Sequence, residues 1–367
     1  MSKRVIGYLL IIVAVLDAIL SVYDALNAPY PAAVPLGSPM AYLNIYLHVP
    51  IAWSTYILYI LGVIFAILYL VKRNEKYDKL SALFIYTALV YSFLVLATGS
   101  AWAKESWGSY WNWDPRETGV LLLFVAYLVY VAIRKSIADP ERRATISAVY
   151  AIAAFATVPI SFAMPYVMPS SLHPTLANTK SFISHPRVKM LFFSKVFTTV
   201  LLSILIPLSI YFGATKELKI GITIAAIILL IGAFIVYPWN VTGRVVKVKF
   251  IEKMSGPPIE IYTGEGIKTL KGVLEVTVMN GGKERTIVVN DVKPLPKPEF
   301  VPVPGFARDS NLTVKVDGLK GRYWPTLLGH LVSVQDGRVV PQRPFCIAWT
   351  LFIYAIGLLF LAYVVKF

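Results

Sequence analysis

The run Trp107-Gly-Ser-Tyr-Trp-Asn-Trp-Asp-Pro-Arg-Glu-Thr118 gathers four aromatic rings, the Asp114 carboxylate and the Arg116 guanidinium within twelve residues. Together these groups can form a flat, π-rich platform with one polar edge. Such a surface suits a large planar ligand, a porphyrin for example. The simpler alternative is an interfacial aromatic belt, because Trp and Tyr favour the headgroup level in any membrane protein. A belt scatters its rings over many helix ends, whereas here they share one loop.

The chain has four histidines: His48, His173, His185 and His330. His48 and His173 flank the Trp-rich loop in sequence and in a helical bundle can approach it from either side. Paired imidazoles on opposite faces of a porphyrin would be the two axial ligands of its iron. Their alternative is a histidine that satisfies a helix terminus. His185 precedes Pro186, which suits helix initiation, and His330 lies near Tyr323-Trp324-Pro325; both read more simply as surface histidines. Asp114-Pro115-Arg116-Glu117 is a helix-start signature, with Asp114 as N-cap, Pro115 in the first helical position and Glu117 completing a capping box. That leaves Arg116 as the free charge, and its forked donors suit a carboxylate. Lys104 and Arg187 are secondary candidates for the same task.

Other chemistry is excluded more readily. There is no phosphate-binding loop, zinc-protease HExxH or GxSxG nucleophile elbow, and no catalytic residue is assigned. The single cysteine, Cys346, rules out an internal disulfide, a CxxC pair and a self-contained CxxCH haem-attachment site.

The elements that position these residues are membrane helices. The chain is 57% hydrophobic with a mean hydropathy of +0.66, well above soluble usage. A spanning helix needs about 20 mostly apolar residues, and such segments occur near 5–25, 49–71, 80–100, 118–134, 145–165, 190–213, 219–238 and 346–366. The first is read as a retained helix rather than a signal peptide, since further spans follow it. The net charge of +15 is carried largely by short loops, a pattern of membrane orientation and not of nucleic-acid binding. Lys72, Arg73, Lys76, Lys79, Arg134, Lys135, Arg142, Arg143, Lys216 and Lys219 fall on one side with Lys3 and Arg4 if the helices alternate. The positive-inside rule makes that side, and both termini, cytoplasmic. Apart from Asp17, expected near the outer interface, the spans read as nearly uncharged.

Residues 239–345 differ in kind. Short alternating runs (Gly243–Ile251, Gly272–Met279, Arg285–Val289) are separated by turn signals at Ser255-Gly-Pro-Pro, Asn280-Gly-Gly and Asp336-Gly, with a proline-rich stretch from Lys293 to Pro304. The fold expected is therefore an all-α polytopic membrane protein of about eight transmembrane helices, with a small extracytoplasmic β-rich domain inserted before the last helix. Its parts are a six-helix core at 1–213, an additional helix at 214–238, the β-rich domain at 239–345 and a C-terminal helix at 346–367. The expected location is the cell membrane, with the Trp-rich loop and the β domain outside.

The run from Trp107 to Thr118 resembles the tryptophan-rich WWD signature of the haem-handling proteins of cytochrome c biogenesis. His48-Val-Pro-Ile-Ala-Trp53 is similar to the start of the second helix in the CcmC branch. Val158-Pro-Ile, followed by Ser171-Leu-His-Pro174, is similar to that branch's fifth helix and second histidine loop. The resemblance covers roughly residues 5–213. It implies that His48 and His173 are axial ligands of haem iron, and that Trp107, Gly108, Trp111, Trp113, Asp114 and Arg116 form the haem-binding loop. It implies haem b as the bound group, and delivery of haem to a covalent haem chaperone of the CcmE type, with ABC transporter subunits as further partners. The spelling of the motif also resembles the CcsA branch, in which a synthase attaches haem to the CxxCH of apocytochrome c. Residues 214–367 extend past a six-helix CcmC and match no motif; they would serve as a docking platform or as a lineage-specific addition.

Three readings follow. A delivery protein predicts ligated, low-spin haem and dependence on a chaperone. A haem lyase predicts binding of apocytochrome peptide, through 239–345; the absence of a histidine deep in a helix favours delivery over this. A transporter with an ordinary aromatic belt predicts polar or charged residues within several helices, and the nearly uncharged spans place it below the other two.

Overall fold

Away from water, a backbone must satisfy its own hydrogen bonds, so long apolar runs become helices. The computed structural model describes residues 3–29, 39–168, 170–173, 186–252, 258–263, 266–289, 331–335 and 338–364. In these residues the helices are α1 (Lys3–Asn27), α2 (Ile45–Lys72), α3 (Glu75–Trp107), α4 (Pro115–Ser136), α5 (Pro140–Ala154), α6 (Thr157–Val167), α7 (Pro186–Tyr211), α8 (Thr215–Val236) and α9 (Phe345–Tyr363). A 3₁₀ turn, Pro39–Asn44, leads into α2. Eight helical segments, with α5 and α6 counted together, are long and apolar enough to cross a membrane. They coincide with the eight runs read from hydropathy.

The span at 145–165 is not one helix. It breaks at Phe155–Ala156, where α5 ends and α6 begins. Pro159 has no N–H to return to the carbonyl of Phe155, so the ladder cannot run through.

Helix α2 packs on α3 and α7, α1 on α7 and α8, and α9 on α3 and α8. Between membrane helices close packing replaces the hydrophobic effect, and small residues permit it. A Cβ at Gly232 of α8 would run into the side chain of Val22 of α1. Among the described residues the interior is not uniformly apolar. Asp17 does not reach the interface but is buried in the bundle, as are Asp24 and Lys195. The expectation of spans uncharged apart from Asp17 is therefore corrected at Asp24 and Lys195.

Between α8 and α9 lies an antiparallel sheet of β1 (Gly243–Glu252), β2 (Pro258–Thr263), β3 (Gly266–Asn280), β4 (Lys283–Val289), β5 (Leu331–Gln335) and β6 (Arg338–Pro341). The order is β2-β3-β1-β5-β6, and β4 pairs with β3. Asn280-Gly281-Gly282 makes the β3–β4 turn with φ 56° and 80° at the two glycines, the positive values that a tight hairpin requires. Val276 and Val278, two apart on β3, are buried with Val245 and Val332, following the strand period of two. The other two turn signals fall wholly or partly outside the described residues, and all of Lys293–Pro304, His185 and His330 lie outside them. Arg244 of β1 donates to Glu105 of α3 at 3.0 Å. Arg343, just before α9, donates to the carbonyls of Ala25 and Leu26 at 2.9 and 2.7 Å. The sheet thus meets the bundle at the end where α3 runs into the Trp-rich loop.

Candidate functional site

A cleft opens at that end of the bundle. The start of α2, the end of α3, the start of α4 and the end of α6 line it, and His173 closes it. Its walls include His48, Trp53, Tyr56, Trp102, Trp107, Trp111, Arg116, Phe162 and His173. The two histidines singled out from the sequence, 125 positions apart, thus share one cavity with the Trp-rich segment.

His48 lies on the first turn of α2, facing α3. Its Nδ1 is 2.8 Å from Thr98 Oγ1. The Thr98 hydroxyl has one proton and gives it to the Leu94 carbonyl at 2.7 Å. Thr98 must then accept, so Nδ1 of His48 carries the hydrogen and Nε2 is the unprotonated nitrogen. Trp102 packs edge-on to the ring at 5.5 Å. Gly99 makes room for it: a Cβ there would lie 3.0 Å from His48 Cε1.

The Trp-rich loop begins where α3 ends. Gly108 caps that helix with φ 88°, a left-handed conformation that glycine adopts without strain. Lys104 folds back onto the Gly108 carbonyl at 2.8 Å; it serves the cap and does not line the cleft. Asp114 caps α4, accepting from the backbone N–H of Arg116 and Glu117 at 2.8 and 3.4 Å, and Pro115 takes the first helical position. Glu117 completes the turn by reaching back to the N–H of Asn112 at 3.1 Å.

Asp114 does more than cap. Its Oδ1 accepts from His173 Nδ1 at 2.7 Å. Its Oδ2 accepts from Leu172 N at 2.5 Å and Ser171 Oγ at 3.0 Å. Burial pushes the Asp114 carboxyl up, but the hydrogen bond and charge of His173, with the N–H groups of Leu172 and Arg116, outweigh it and hold the carboxyl below the usual range. An ionised Asp114 can only accept, so His173 carries a hydrogen on Nδ1, and Nε2 is the ring nitrogen that Asp114 does not hold. Trp107 packs edge-on against that ring at 4.9 Å. Both imidazoles are oriented in the way that metal-binding histidines are, with one nitrogen tied to the protein and the other left for the ligand.

Among the described residues, three polar atoms along this end of α3 have no hydrogen-bond partner: Trp102 Nε1, Ser106 Oγ and Trp107 Nε1. All three residues line the cleft, and stranding a buried donor costs about 1–3 kcal/mol. A ligand with acceptor groups would satisfy them. Arg116 lines the same wall and lies 5.6 Å from the Phe162 ring.

The remaining sequence candidates separate. Trp111 lines the cleft. Trp113 sits against it edge-on at 5.8 Å, but is 73% exposed and outside the cleft lining, on a backbone with φ 55°. Gly108 shapes the turn and contacts nothing in the cleft. Arg187 does not line it. Thr98, Gly99, Trp102 and Ser106 were not singled out from the sequence. Trp102 and Ser106 recur at the helical spacing of four, which marks a shared face; the link from Thr98 to His48 spans 50 residues and leaves no local signal.

Comparisons with known proteins bear on this same region. Residues 2–173 match the family model described as Cytochrome C assembly protein. It is 35% identical over 115 residues to Heme exporter protein C of Bradyrhizobium diazoefficiens, covering 31% of this chain and 44% of that one. It is 35% identical over 98 residues to a putative cytochrome c biosynthesis ccmC-like mitochondrial protein of Marchantia polymorpha, covering 27% and 43%. It is also 39% identical over 83 residues to Cytochrome c biogenesis protein CcsA of Synechococcus sp. strain CC9902, covering 22% and 26%. The matched segments thus span less than half of these relatives' own length.

Proposed function

We propose that the cleft holds haem b between Nε2 of His48 and Nε2 of His173, and that the protein presents this haem for cytochrome c maturation. The observation that carries the reading is that both imidazoles face one cleft with Nδ1 tied off, His48 by Thr98 and His173 by Asp114. Haem is cargo here; it supplies an iron with two axial positions and two carboxylate side chains. The stranded donors of Trp102, Ser106 and Trp107, together with Arg116, fit those carboxylates. Trp111 gives an apolar wall. Asp114 orients one ligand, Gly108 sets the loop, and Trp113 stands at the rim.

The side of the membrane follows from charge: the basic loops are cytoplasmic with both termini, and the cleft and sheet are extracytoplasmic. Delivery to a haem chaperone of the CcmE type, with ABC transporter subunits as further partners, is the reading favoured by the likeness to proteins named heme exporter protein C. The second reading is a haem lyase acting on the CxxCH of apocytochrome c. It is favoured by the likeness to CcsA and by the Arg244–Glu105 bridge, which holds the sheet beside the cleft.

The test is the absorption spectrum of the detergent-purified protein, wild type beside His48→Ala/His173→Ala. The reading expects a Soret band with low-spin visible bands in the wild type and its loss in the double variant. Stoichiometric haem retained by the double variant would refute the ligand assignment.

A further inference from the structure

A second polar centre lies inside the bundle, away from the cleft. Asp17 and Asp24 of α1 and Lys195 of α7 are each 1% exposed. Asp17 is fully engaged. Its Oδ1 accepts from Lys195 Nζ at 2.5 Å and from Thr198 and Thr199 Oγ1 at 2.8 Å each, and its Oδ2 accepts from Tyr354 OH of α9 at 3.0 Å. Lys195 also donates to Thr199 at 2.6 Å and lies 5.4 Å from the Tyr354 ring. Positions 17, 21 and 24 fall on one face of α1. Ser21, between the carboxylates, is buried and donates to the Asp17 carbonyl at 2.7 Å.

Asp24 stands apart. Its Oδ1 has no hydrogen-bond partner among the described residues. The charged groups acting on it are Lys195 and Asp17. On α2, Tyr46 lies within electrostatic reach of both Asp24 and Arg187, the latter at the start of α7. Arg343, before α9, is bonded to the carbonyls of Ala25 and Leu26 beside it. The single ammonium of Lys195 is already matched by Asp17. Two carboxylates and one ammonium leave one uncompensated negative charge. In a water-poor interior an unpaired charge costs several kcal/mol, and such a group marks a functional position by default.

We propose that Asp17, Asp24 and Lys195 form a proton-binding site within the membrane bundle, and that Asp24 carries the exchangeable proton. The carboxylate of Asp24 takes one proton and becomes the neutral acid; Asp17 and Lys195 remain a pair, and the cluster is then neutral. Asp24 is the member nearest the cleft end of α1. Asp17 lies about 15 Å in from that end, at 1.5 Å per residue. Phe192, one turn before Lys195, packs edge-on against the cleft residue Trp53 at 6.0 Å. This assignment is independent of what the cleft binds.

The test is infrared spectroscopy of the purified full chain near neutral pH, in H2O and in D2O, with and without ¹³C-labelled aspartate. The label separates aspartic acid from half-buried glutamates such as Glu217. The wild type is expected to show a carboxylic-acid C=O stretch that shifts with the label and with deuteration. Asp24→Asn removes it. Lys195→Met deprives Asp17 of its counter-charge, so a second protonated aspartate appears and the band area roughly doubles. Absence of the band from wild-type protein overturns the proposal, and so does a band unchanged in Asp24→Asn. The wild-type spectrum decides the first point whether or not either variant folds.

Discussion

Replacing Asp114 by Asn separates capping from ligand orientation. The amide nitrogen must take the place of one oxygen. Oδ1 faces three N–H donors, from His173, Arg116 and Glu117. Oδ2 faces Leu172 N and Ser171 Oγ. The nitrogen therefore goes to the Oδ2 side, where Ser171 can turn its hydroxyl to accept but the Leu172 N–H cannot. The cap survives, since Asn caps a helix as well as Asp. The Leu172 N–H is stranded, at about 1–3 kcal/mol. The His173 bond becomes neutral, and charge-assisted bonds are roughly twice as strong as neutral ones. Losing the group that holds a metal-bound histidine costs about 10–100-fold in metal affinity; the stranded Leu172 N–H costs the same with or without haem and does not enter that ratio. Haem should leave Asp114→Asn about 10–100-fold faster, with little change in the melting of α4. The assay is transfer of haem to excess apomyoglobin followed at the Soret band, beside a circular-dichroism melt. A variant that loses haem at the wild-type rate would show that Asp114 only caps the helix.

The pH dependence of that difference has a definite sign. A carboxylate held below its ordinary value of about 3.9 contributes above that value and is lost only as pH falls through the lower folded value. Both rates are read on folded protein, so the ratio of variant to wild-type haem-loss rates should stay constant from pH 7 down to and through about pH 4, where Asp114 is still ionised; a ratio collapsing near pH 6 would contradict the ionised Asp114. Gly99→Ala places a Cβ 3.0 Å from His48 Cε1, so the ring must give by a few tenths of an ångström, and the haem spectrum should shift while the protein still folds. Trp107→Phe removes a stranded donor; haem retention should fall while the thermal stability of the haem-free protein holds or rises, and a fall in both would assign the indole a purely structural role. Arg244→Ala should leave haem binding intact but lower cytochrome c maturation in cells, if the sheet must be held beside the cleft.

The eight spans were legible because a run of about 20 apolar residues has few other folds available. The break before α6 was not read, although Pro159 announces it: within so apolar a segment, hydropathy outweighs a single missing N–H. The local half of Asp114's role, capping α4, was written in Asp-Pro-Arg-Glu. Its other half, the hold on His173, joins residues 59 apart and exists only once α4 and the end of α6 are side by side. Lys195 was lost for the opposite reason. One lysine barely lowers the hydropathy of α7, and its partner Asp17 lies 178 residues away. Trp111 and Trp113 look equivalent in the motif, yet the positive φ of Trp113 turns it to the rim while Trp111 stays on the wall.

The two histidines are held unequally, and that bears on delivery against ligation. His48 belongs to a helix packed on α3 and α7, and both its Nδ1 bond and its packing partners come from α3. His173 lies outside any helix, beyond Val167, the last residue of α6. Among the described residues its side chain is fixed chiefly by the Asp114 carboxylate and by the edge of Trp107. A protein that hands haem on must release both axial positions, and the cheaper bond to give up is the one that depends on a single carboxylate. A lyase needs haem kept in place while the acceptor peptide approaches, and gains nothing from one weakly held ligand. On the proposed ligation, the asymmetry favours release through the His173 side, with His48 as the fixed post, and an acceptor would have to engage the side next to the Trp-rich loop.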